Sequence, residues 1–319
     1  MGKSVVTGID IGYHSIKVVV LKPYKGTFAL VGYQELAIES DIFSDNHVLN
    51  YQKIVKKLKE LRKSLPRFSR KVALALPDNA VISKLLQIDS GVKEQEREYA
   101  LLEAFSAQSP FPLEELSLDF VETGADSHSQ TRQFQVFATK KELVENRIQV
   151  LHGAGFDPFM FDLQAHCLVQ IWQLTVSRYR KSDWLLVNIG SQTTTVCIDF
   201  SHQAPYYKDI AIGISQHEHP ADELEELIVR LQRTIQLVNS MHDCEVEGLW
   251  LCGEAALITS LLKPISYGLG LECQLLNPFE LLENRVDKKT SSELTGYSFA
   301  SATGTALRGL NWLERQGAV

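Results

Sequence analysis

The sequence lacks the cysteine patterns of a disulfide framework or a zinc site. Its five cysteines are scattered, with no Cys-x-x-Cys pair and no histidine at zinc-like spacing, which is typical of buried or free thiols in a reducing compartment. The chain has no charged leader followed by an apolar segment, so no secretory signal is expected. Its longest apolar runs are only strand-length, which predicts no transmembrane helix. We therefore expect a soluble cytoplasmic protein that reaches a membrane only by lying on it or by binding an embedded partner.

Positive charge is also in short supply. The formal net charge is −7, which argues against a general nucleic-acid binder. The 319 residues and the 45% hydrophobic content are enough for two packed domains with real cores.

The chain resembles itself at two places, residues 8–18 and residues 186–196. Each copy has an apolar strand, a polar-x-Gly turn with small or hydroxyl residues, and a second apolar strand. A short turn and a third strand follow in both copies. The next elements are a helix at about 47–64 or 221–241 and a strand at 72–76 or 249–252. A β-β-β-α-β unit that occurs twice predicts two similar domains facing each other across a cleft.

The residues between the two copies predict an inserted α+β module. It contains a strand at 81–88, a helix that opens near Asp89 or Ser90 and closes at 109–112, strands at 116–121 and 134–138, and a helix at about 140–153. The predicted domains are 1–76 with 151–182 for the first, 77–150 for the insertion, 183–298 for the second, and 299–319 for a C-terminal helix that returns to the first domain.

The two glycine turns are candidates for phosphate binding. Glycine lets backbone amides approach an anion closely, and hydroxyl groups add donors. The candidate residues are Asp10, Gly12, Ser15 and Lys17 in the first copy, and Asn188, Gly190, Thr193 and Thr194 in the second. Lys17 supplies a positive charge, and Asp10 could hold a hydrated Mg²⁺ ion. Tight hairpins favour the same residue types, so one such turn alone is weak evidence for a phosphate site. The prediction rests on the presence of two matching turns.

At this level of detail the chain resembles the PilM family, the actin-like proteins of type IV pilus inner-membrane assembly platforms, which are related to the division protein FtsA. Residues 8–12 with Lys17 look like the first phosphate loop of the actin, Hsp70 and sugar-kinase superfamily. Further matching segments are 75–77 with Val81, Glu103, 109–112, 119–120, 138–141, 154–156, Asp162, 277–279 and 300–308. The small residues Ala300 and Gly304 favour a close crossing with the helix that carries Ala165.

The resemblance implies an α/β, actin-like ATPase fold, with duplicated ribonuclease H-like domains around a cleft, an inserted subdomain and a reduced second domain. It implies ATP in the cleft, with Gly253 in the adenosine turn and Mg²⁺ at Asp10. It also implies a PilN-like inner-membrane partner, bound through its cytoplasmic N-terminal peptide in a groove between the first domain and the insertion. Other platform components are expected as partners, self-association stays open, and the expected location is the inner face of the bacterial inner membrane.

The residues of the peptide groove cannot be assigned one by one from the resemblance. Pro110, Phe111 and Pro112 lie in the inserted module and are candidates for partner binding. A helix that ends at these prolines and packs on its own core explains them equally well.

Three departures from the family pattern weaken catalysis. Asn188 stands where the second loop usually has an aspartate, and an amide cannot accept a proton from water. Gly253 is followed by Glu254, which places a carboxylate where a purine or ribose would approach. Only a short link joins Ile214 to the helix near Ala221, where most relatives have a subdomain. We therefore expect weak to moderate ATP binding with little or no turnover, and no catalytic residues.

Two charged segments allow more than one interpretation. Residues 53–71 contain nine basic side chains and one acid; they could rest on anionic lipid, but a solvated outer helix face is the simpler explanation. His217, Glu218 and His219 could suggest a metal site, but without further ligands they fit a polar linker before a helix.

An assembly scaffold is the leading functional prediction. An FtsA-like division scaffold is the alternative, but it would be expected to end in an amphipathic basic helix, whereas residues 310–319 are poorly basic. A small-molecule kinase comes third, because it should keep the second-loop aspartate and an acidic base for the substrate hydroxyl.

Overall fold

The computed structural model describes residues 4–39, 42–43, 48–123, 130–200, 203–214, 220–242, 244–253, 255–286 and 296–317. The side chains of residues 220 and 255–258 are outside this description, as are Glu254 and the segment 217–219 that suggested a metal site. The chain forms two compact units. Unit 1 comprises residues 1–40, 57–76 and 155–319, and unit 2 comprises residues 41–56 and 77–154.

The structure contains both strands and helices along its whole length. The strands are β1 (Val6–Ile11), β2 (Ser15–Tyr24), β3 (Thr27–Ala37), β4 (Lys71–Leu76), β5 (Val81–Asp89), β6 (Leu116–Glu122), β7 (Thr131–Lys140), β8 (Asp157–Leu163), β9 (Trp184–Ile189), β10 (Thr194–Ile198), β11 (Tyr206–Ile210), β12 (Gly248–Gly253), β13 (Glu272–Leu275) and β14 (Glu283–Asn284). The α-helices are α1 (Tyr51–Ser64), α2 (Glu94–Ser106), α3 (Lys141–Ala154), α4 (Gln164–Tyr179), α5 (Pro220–His242), α6 (Ala255–Leu269) and α7 (Ala300–Arg315). None of the described helices combines the length and apolarity that a membrane crossing requires.

Unit 1 contains two sheets with the same core topology. The first has the order β14-β3-β2-β1-β4-β8, and the second has the order β11-β10-β9-β12-β13. In each sheet three antiparallel strands are followed by a parallel one, after a helix crossover through α1 or α5. Each sheet contains buried, mainly apolar strand segments, such as residues 16–21 of β2 and residues 184–187 of β9. This confirms the duplication predicted from the repeated glycine turn.

Unit 2 contains the segment 77–150 that was predicted as an inserted α+β module, together with residues 41–56 and 151–154. Its three-stranded sheet has the order β5-β7-β6, and its core is formed by Leu86, Leu101, Phe105, Phe134 and Val136 with their neighbours. The predicted start of the helix near Asp89 or Ser90 was wrong. The ladder between β5 and β7 continues to Asp89, whose carboxylate accepts a hydrogen bond from the Gly91 amide at 2.6 Å, so a turn precedes α2.

The C-terminal helix α7 packs closely on both its neighbours in unit 1. A Cβ atom at Gly8 of β1 would lie 2.2 Å from the Ala302 carbonyl oxygen, and one at Gly304 would lie 2.0 Å from the Cys167 carbonyl oxygen of α4. Only glycine allows backbones to approach this closely. The predicted close crossing of α7 with the helix after Asp162, which is α4, is therefore present, and Gly304 meets α4 at Cys167.

Candidate functional site

The two glycine turns close in the same way. The Gly12 amide donates to the Ser15 carbonyl at 3.0 Å, and the Gly190 amide donates to the Thr193 carbonyl at 2.9 Å. Both turns lie at the ends of the first strand of their sheets and line one cavity of about 90 Å³ within unit 1. The duplicated hairpins therefore meet at a single site, as the sequence predicted for a cleft between two similar halves.

Seven of the nine nucleotide-binding candidates line this cavity. They are Asp10, Gly12, Lys17, Asn188, Gly190, Thr193 and Gly253. Ser15 and Thr194 do not line it, because their hydroxyls serve the protein itself. The Ser15 hydroxyl donates to Glu35 at 2.6 Å, and the Thr194 hydroxyl donates to the Ile212 carbonyl at 2.8 Å.

The two halves present matching rows of three residues across their sheets. In the first half Asp10 pairs with Lys17 and Lys17 pairs with Glu35. The corresponding row of the second half is Asn188, Thr195 and Asp209. The two rows thus have the same register. Asp10 and Lys17 of the first row correspond to Asn188 and Thr195 of the second, so an acidic and a basic residue are replaced by an amide and a hydroxyl. Sequence comparison could not find the third member of either row, because strand register is a tertiary property.

Lys17 is the buried cation of the first row, with only 5% of its surface exposed. Its Nζ donates to the Ser15 hydroxyl at 2.8 Å and lies 3.5 Å from a Glu35 carboxylate oxygen. A buried ammonium group needs such partners to offset its lost hydration. Glu35 and Ser15 therefore hold Lys17 at the wall of the cavity.

The side chains of the second row accept hydrogen bonds from a hydroxyl and a thiol. The Thr195 hydroxyl donates to Asp209 at 2.7 Å. Burial raises the pKa of Asp209, and the hydrogen bond from Thr195 opposes that rise. The Asn188 side-chain oxygen accepts from the Cys252 thiol at 3.5 Å. Burial raises the pKa of Cys252 strongly, so this thiol stays protonated and is not a nucleophile.

Gly253 occupies the end of β12 with a φ of 127°. A Cβ atom there would lie 2.0 Å from the carbonyl oxygen of Ile189 on the adjacent strand. The glycine is thus required by its backbone conformation and by the close approach of β9. Glu254, the predicted carboxylate neighbour, lies outside the described residues.

Several lining residues were not predicted from the sequence. They are Tyr13, Gln164, Ile189, Ser191, Gln192, Ser298 and Ser301. Ser301 stands in the first turn of α7 and is 2% exposed, and its hydroxyl has no hydrogen-bond partner among the described residues. A buried unpaired hydroxyl is unfavourable. Because Ser301 is among the residues that line the cavity, its hydroxyl is a candidate donor to a ligand there.

Ser301 was missed because its neighbourhood has a second, sufficient explanation. The sequence from Ala300 to Gly304 was interpreted as a small-residue crossing motif, and the crossing is indeed present. The available signal was a hydroxyl residue at the start of a helix, where the positive end of the helix dipole favours an anion.

The cavity suits a phosphate group better than a metal ion alone. The Lys17 ammonium, the Ser301 hydroxyl and the start of α7 all favour negative charge. Within the described part of the chain, no cluster of three or more His, Cys, Asp and Glu side chains could hold a metal. Asp10 is a single carboxylate, which suffices for Mg²⁺ only when phosphates and waters complete the shell. At about 90 Å³ the cavity is smaller than the roughly 300–1,000 Å³ of small-molecule pockets, so a whole nucleotide requires the two halves of unit 1 to separate further.

A charged network lies two residues before Gln164. The Asp162 carboxylate accepts from Arg308 of α7 at 2.6 Å and lies 3.0 Å from the Nδ1 atom of His166 on α4. Burial alone would raise the pKa of Asp162, but the hydrogen bonds and charges of His166 and Arg308 outweigh it and lower that pKa. The network fixes α4 and α7, whose first turns both line the cavity.

Pro110, Phe111 and Pro112 lie in unit 2, after α2. Phe111 is partly buried against the core of that unit, and the Lys140 ammonium lies 5.1 Å from its ring centroid. The Phe111 carbonyl accepts from the Ser109 hydroxyl at 2.8 Å. The two prolines are exposed. Phe111 thus has a packing role in its own unit, and the binding of a partner here stays a prediction.

Comparison with protein families identifies one matching family model. It is described as the type IV pilus assembly protein PilM, and it matches residues 8–220. The matched region includes both glycine turns, the inserted module and α4. It extends over more than half of the chain.

Solved structures share the architecture of the whole chain. A PilM-PilN type IV pilus biogenesis complex has 23% sequence identity and a TM-score of 0.75, with 96% of this chain and 98% of that chain covered. The ethanolamine utilization protein EutJ from Carboxydothermus hydrogenoformans has 13% identity and a TM-score of 0.54, with 96% and 90% covered. The cytoplasmic domain of EpsL from the type II secretion system of Vibrio cholerae has 13% identity and a TM-score of 0.52, with 96% and 95% covered. These similarities show the actin-like ATPase fold that the sequence predicted.

Proposed function

The chain belongs to the PilM family of type IV pilus assembly proteins, and we propose that it works as a scaffold on the cytoplasmic side of a pilus assembly platform. In this proposal the protein binds ATP in the cavity between the two halves of unit 1. It also binds the cytoplasmic N-terminal peptide of a PilN-like protein of the inner membrane. The protein itself stays peripheral, at the inner face of that membrane.

The meeting of the two glycine turns at one cavity is the observation that supports nucleotide binding. Each turn offers backbone amides, and Lys17 and Ser301 add a buried cation and a buried donor. A phosphate chain between the turns would be neutralised and hydrogen-bonded from both sides. Asp10 would hold Mg²⁺ together with the phosphates, and Gly253 would leave room for the adenosine.

Asn188 supports a scaffold without metabolic turnover. The matching residue of the first half is Asp10, so the amide stands in the one place of the second half where a carboxylate would be expected. An amide can orient a water molecule through hydrogen bonds but cannot remove its proton. We therefore propose that ATP hydrolysis is slow or absent.

The partner is proposed from family membership and from the similar complex. That complex is described as PilM with PilN, and the inserted module that the family carries is present here as unit 2. Pro110 and Pro112 are the exposed candidates on this unit for contact with the peptide. Other platform components and self-association remain predictions from the same membership.

The first experiment measures ATP binding and turnover by the purified chain, with Asp10→Ala as the test variant. Asp157→Ala, an exposed carboxylate on β8 that does not line the cavity, is the control. We expect Mg²⁺-dependent binding by the wild type and the control, a clear loss in Asp10→Ala, and little phosphate release by any of them. Rapid phosphate release by the wild type would overturn the scaffold proposal.

A second experiment tests the partner. A labelled peptide with the N-terminal sequence of the PilN-like protein should bind the chain in a fluorescence anisotropy titration. Replacing Pro110 and Pro112 with alanine should weaken the complex while leaving ATP binding unchanged. If the wild type does not bind the peptide, the partner assignment is wrong, whatever the nucleotide result.

A further inference from the structure

In the first sheet of unit 1, one end of strand β1 lies at the cavity. The opposite ends of the strands form a second surface, which we call the edge. Strands β1, β4 and β8 are parallel and begin at this edge, and β2 ends there before turning into β3. The turn between α1 and β4 reaches the same edge, since Lys71 pairs with Asp157 at the start of β8. The end of α7 lies there too, because Gly309 is in contact with Val6 and Ala73. Three separate segments of the chain thus meet on one surface.

Phe68 lies in the turn between α1 and β4, which reaches this surface. It is 86% exposed and has a φ of 74°. The left-handed region is unfavourable for a bulky residue, and an exposed phenyl ring gains nothing from the protein. A strained, solvent-exposed aromatic residue is therefore poorly explained by the stability of the fold, and such residues are concentrated at functional sites.

The turn that carries Phe68 is firmly attached to the sheet. The Ser69 hydroxyl donates to the Pro66 carbonyl at 2.6 Å, and the Thr7 hydroxyl of β1 donates to the Ser69 carbonyl at 3.0 Å. The Asp157 amide donates to the Arg70 carbonyl at 2.8 Å. These bonds hold the backbone on both sides of Phe68, so the ring is presented from a fixed support.

The charges around Phe68 are mostly positive, although the whole chain is acidic. Among the described residues of the strand ends, the two turns and the end of α7, the exposed cations are Lys25, Arg67, Arg70, Lys71 and Arg315, and the exposed carboxylates are Asp157 and Glu314. Glu283 and Arg285, at the flank beside β3, balance each other. We call the surface formed by Phe68 and the five exposed cations the basic edge. Its local charge is opposite in sign to the net charge of −7.

A second aromatic residue adjoins the basic edge. Trp312 of α7 is 42% exposed, and its ring lies 5.6 Å from that of Phe159 on β8. Half-buried tryptophan next to basic side chains is typical of surfaces that rest at a membrane interface, where the ring sits among the headgroups.

We propose that the basic edge binds the anionic surface of a lipid bilayer, with Phe68 inserted among the headgroups. Charge complementarity favours this occupant, because a bilayer offers a broad negative surface and an apolar layer below it. The surface faces away from the cavity, so the cleft stays accessible to solvent when the protein lies on the membrane. The proposal goes beyond the binding of a membrane-embedded partner, since it gives the scaffold its own contact with lipid.

The location of the aromatic residue distinguishes this surface from a merely solvated basic helix. From the sequence, the basic side chains of residues 53–71 were interpreted as a solvated outer helix face. In the structure that helix is α1, and its Lys57 donates to the Ala37 carbonyl at 3.2 Å. The turn after that helix supplies the exposed ring that a solvated face does not need. The remaining cations come from β4, from the β2–β3 turn and from α7.

The test measures co-sedimentation of the full chain with vesicles at low and high salt. The vesicles contain phosphatidylglycerol and phosphatidylcholine in equal parts, or phosphatidylcholine alone. We expect binding to the anionic vesicles only, weakened by salt. Arg67→Glu with Arg70→Glu should reduce the partition coefficient by at least about tenfold, since each cation near the surface contributes about fivefold. The matched control is Arg230→Glu with Arg233→Glu, two exposed arginines of α5 with the same spacing.

Phe68→Asn separates membrane binding from folding. Asparagine tolerates the left-handed conformation well, so this variant should melt at an equal or higher temperature and still bind vesicles more weakly. Tyr267→Asn, which replaces a residue of α6 that is 93% exposed, is the control and should bind like the wild type.

Equal sedimentation with neutral and anionic vesicles would overturn the proposal, and so would unchanged binding after the double charge reversal. Binding of single-stranded DNA or of an acidic peptide through the same residues, without vesicle binding, would assign the basic edge to a different partner and would also overturn it. Peptide and ATP binding are measured without lipid, so a failure here is distinct from a failure of the proposed scaffold function.

Discussion

Gly304 of α7 lies directly against the backbone of Cys167 in α4, with room for no Cβ atom between them. The contact is reinforced by the Thr305 hydroxyl, which donates to the Cys167 sulfur at 3.3 Å. One turn before these residues stand Ser301 and Gln164, both of which line the cavity. The backbone contact of the two helices therefore sets the distance between two walls of the candidate site.

Gly304→Ala should disrupt this contact. The added methyl group would lie 2.0 Å from a backbone oxygen, so α7 must shift, and overpacking of this kind costs about 1–3 kcal/mol. We expect a lower urea midpoint and weaker nucleotide binding, because Ser301 moves with the helix. Gly91→Ala is the control, since its nearest contact is a flexible side-chain oxygen at 3.1 Å. Equal stability of the two variants would contradict the close crossing.

Ser301→Ala should separate ligand binding from stability. The serine hydroxyl lacks a partner among the described residues, so removing it should leave the free energy of unfolding unchanged or raise it by about 1 kcal/mol. Nucleotide affinity, measured by calorimetry, should fall about five- to tenfold through the loss of one hydrogen bond. Thr303→Val is the matched control on the same helix. Its hydroxyl is also buried without a partner among the described residues, and it does not line the cavity. Loss of affinity in both variants, or in neither, would exclude a specific role for Ser301.

Asn188→Asp should supply a general base and a Mg²⁺ ligand in the second half of unit 1. A carboxylate at this position can accept a proton from water and can bind Mg²⁺. We expect Mg²⁺-dependent ATP turnover to rise at least about tenfold, the lower part of the range for a positioned general base. Asn188→Ala, which removes the amide without adding a carboxylate, should show no rise. If Asn188→Asp is as slow as the wild type, the limit on hydrolysis lies elsewhere in the cleft.

Asp162→Asn should reveal the charged network through pH. Because the folded pKa of Asp162 lies below its ordinary value of 3.8, the ionised carboxylate stabilises the fold above that pH. This contribution is lost as the pH falls through the folded pKa. At neutral pH we expect the variant to lose about 1–3 kcal/mol, as for a hydrogen bond to a charged group.

Urea unfolding from neutral pH down to about pH 3 checks the prediction, since the difference from the wild type should shrink across that range. Asp157→Asn, an exposed carboxylate at the start of the same strand, is the control and should change little. A constant difference at all pH values would mean that Asp162 contributes through its shape alone.

The repeated turn made most of the fold predictable. A strand, a glycine turn and a second strand at 8–18 and again at 186–196 imply the same topology twice, and α5 followed from its regular apolar spacing. The start of α2 could not be found in this way, because Asp89 continues a strand whose partner, β7, lies forty residues further along the chain. The boundary depended on a long-range ladder that no local pattern reports.

The residues of the candidate site could be predicted where the backbone conformation requires glycine. They could not be predicted where the pairing of strands brings distant side chains together. Gly12, Gly190 and Gly253 could be named from the sequence. Glu35, which supports Lys17, comes from a different strand and has no motif of its own. Phe68 gave no signal either, since nothing in a sequence shows that a phenylalanine will adopt a left-handed backbone.

The matching rows of the two halves differ in charge, and this has a consequence for how the protein could read its ligand. Asp10 and Lys17 have ionisable side chains, while Asn188 and Thr195 offer only dipoles at the same places. When a triphosphate becomes a diphosphate, the lost charge changes the Coulomb energy mainly with ionised neighbours. If the cavity holds a nucleotide as proposed, its interaction with the first half should therefore depend more strongly on the charge of the ligand than its interaction with the second half.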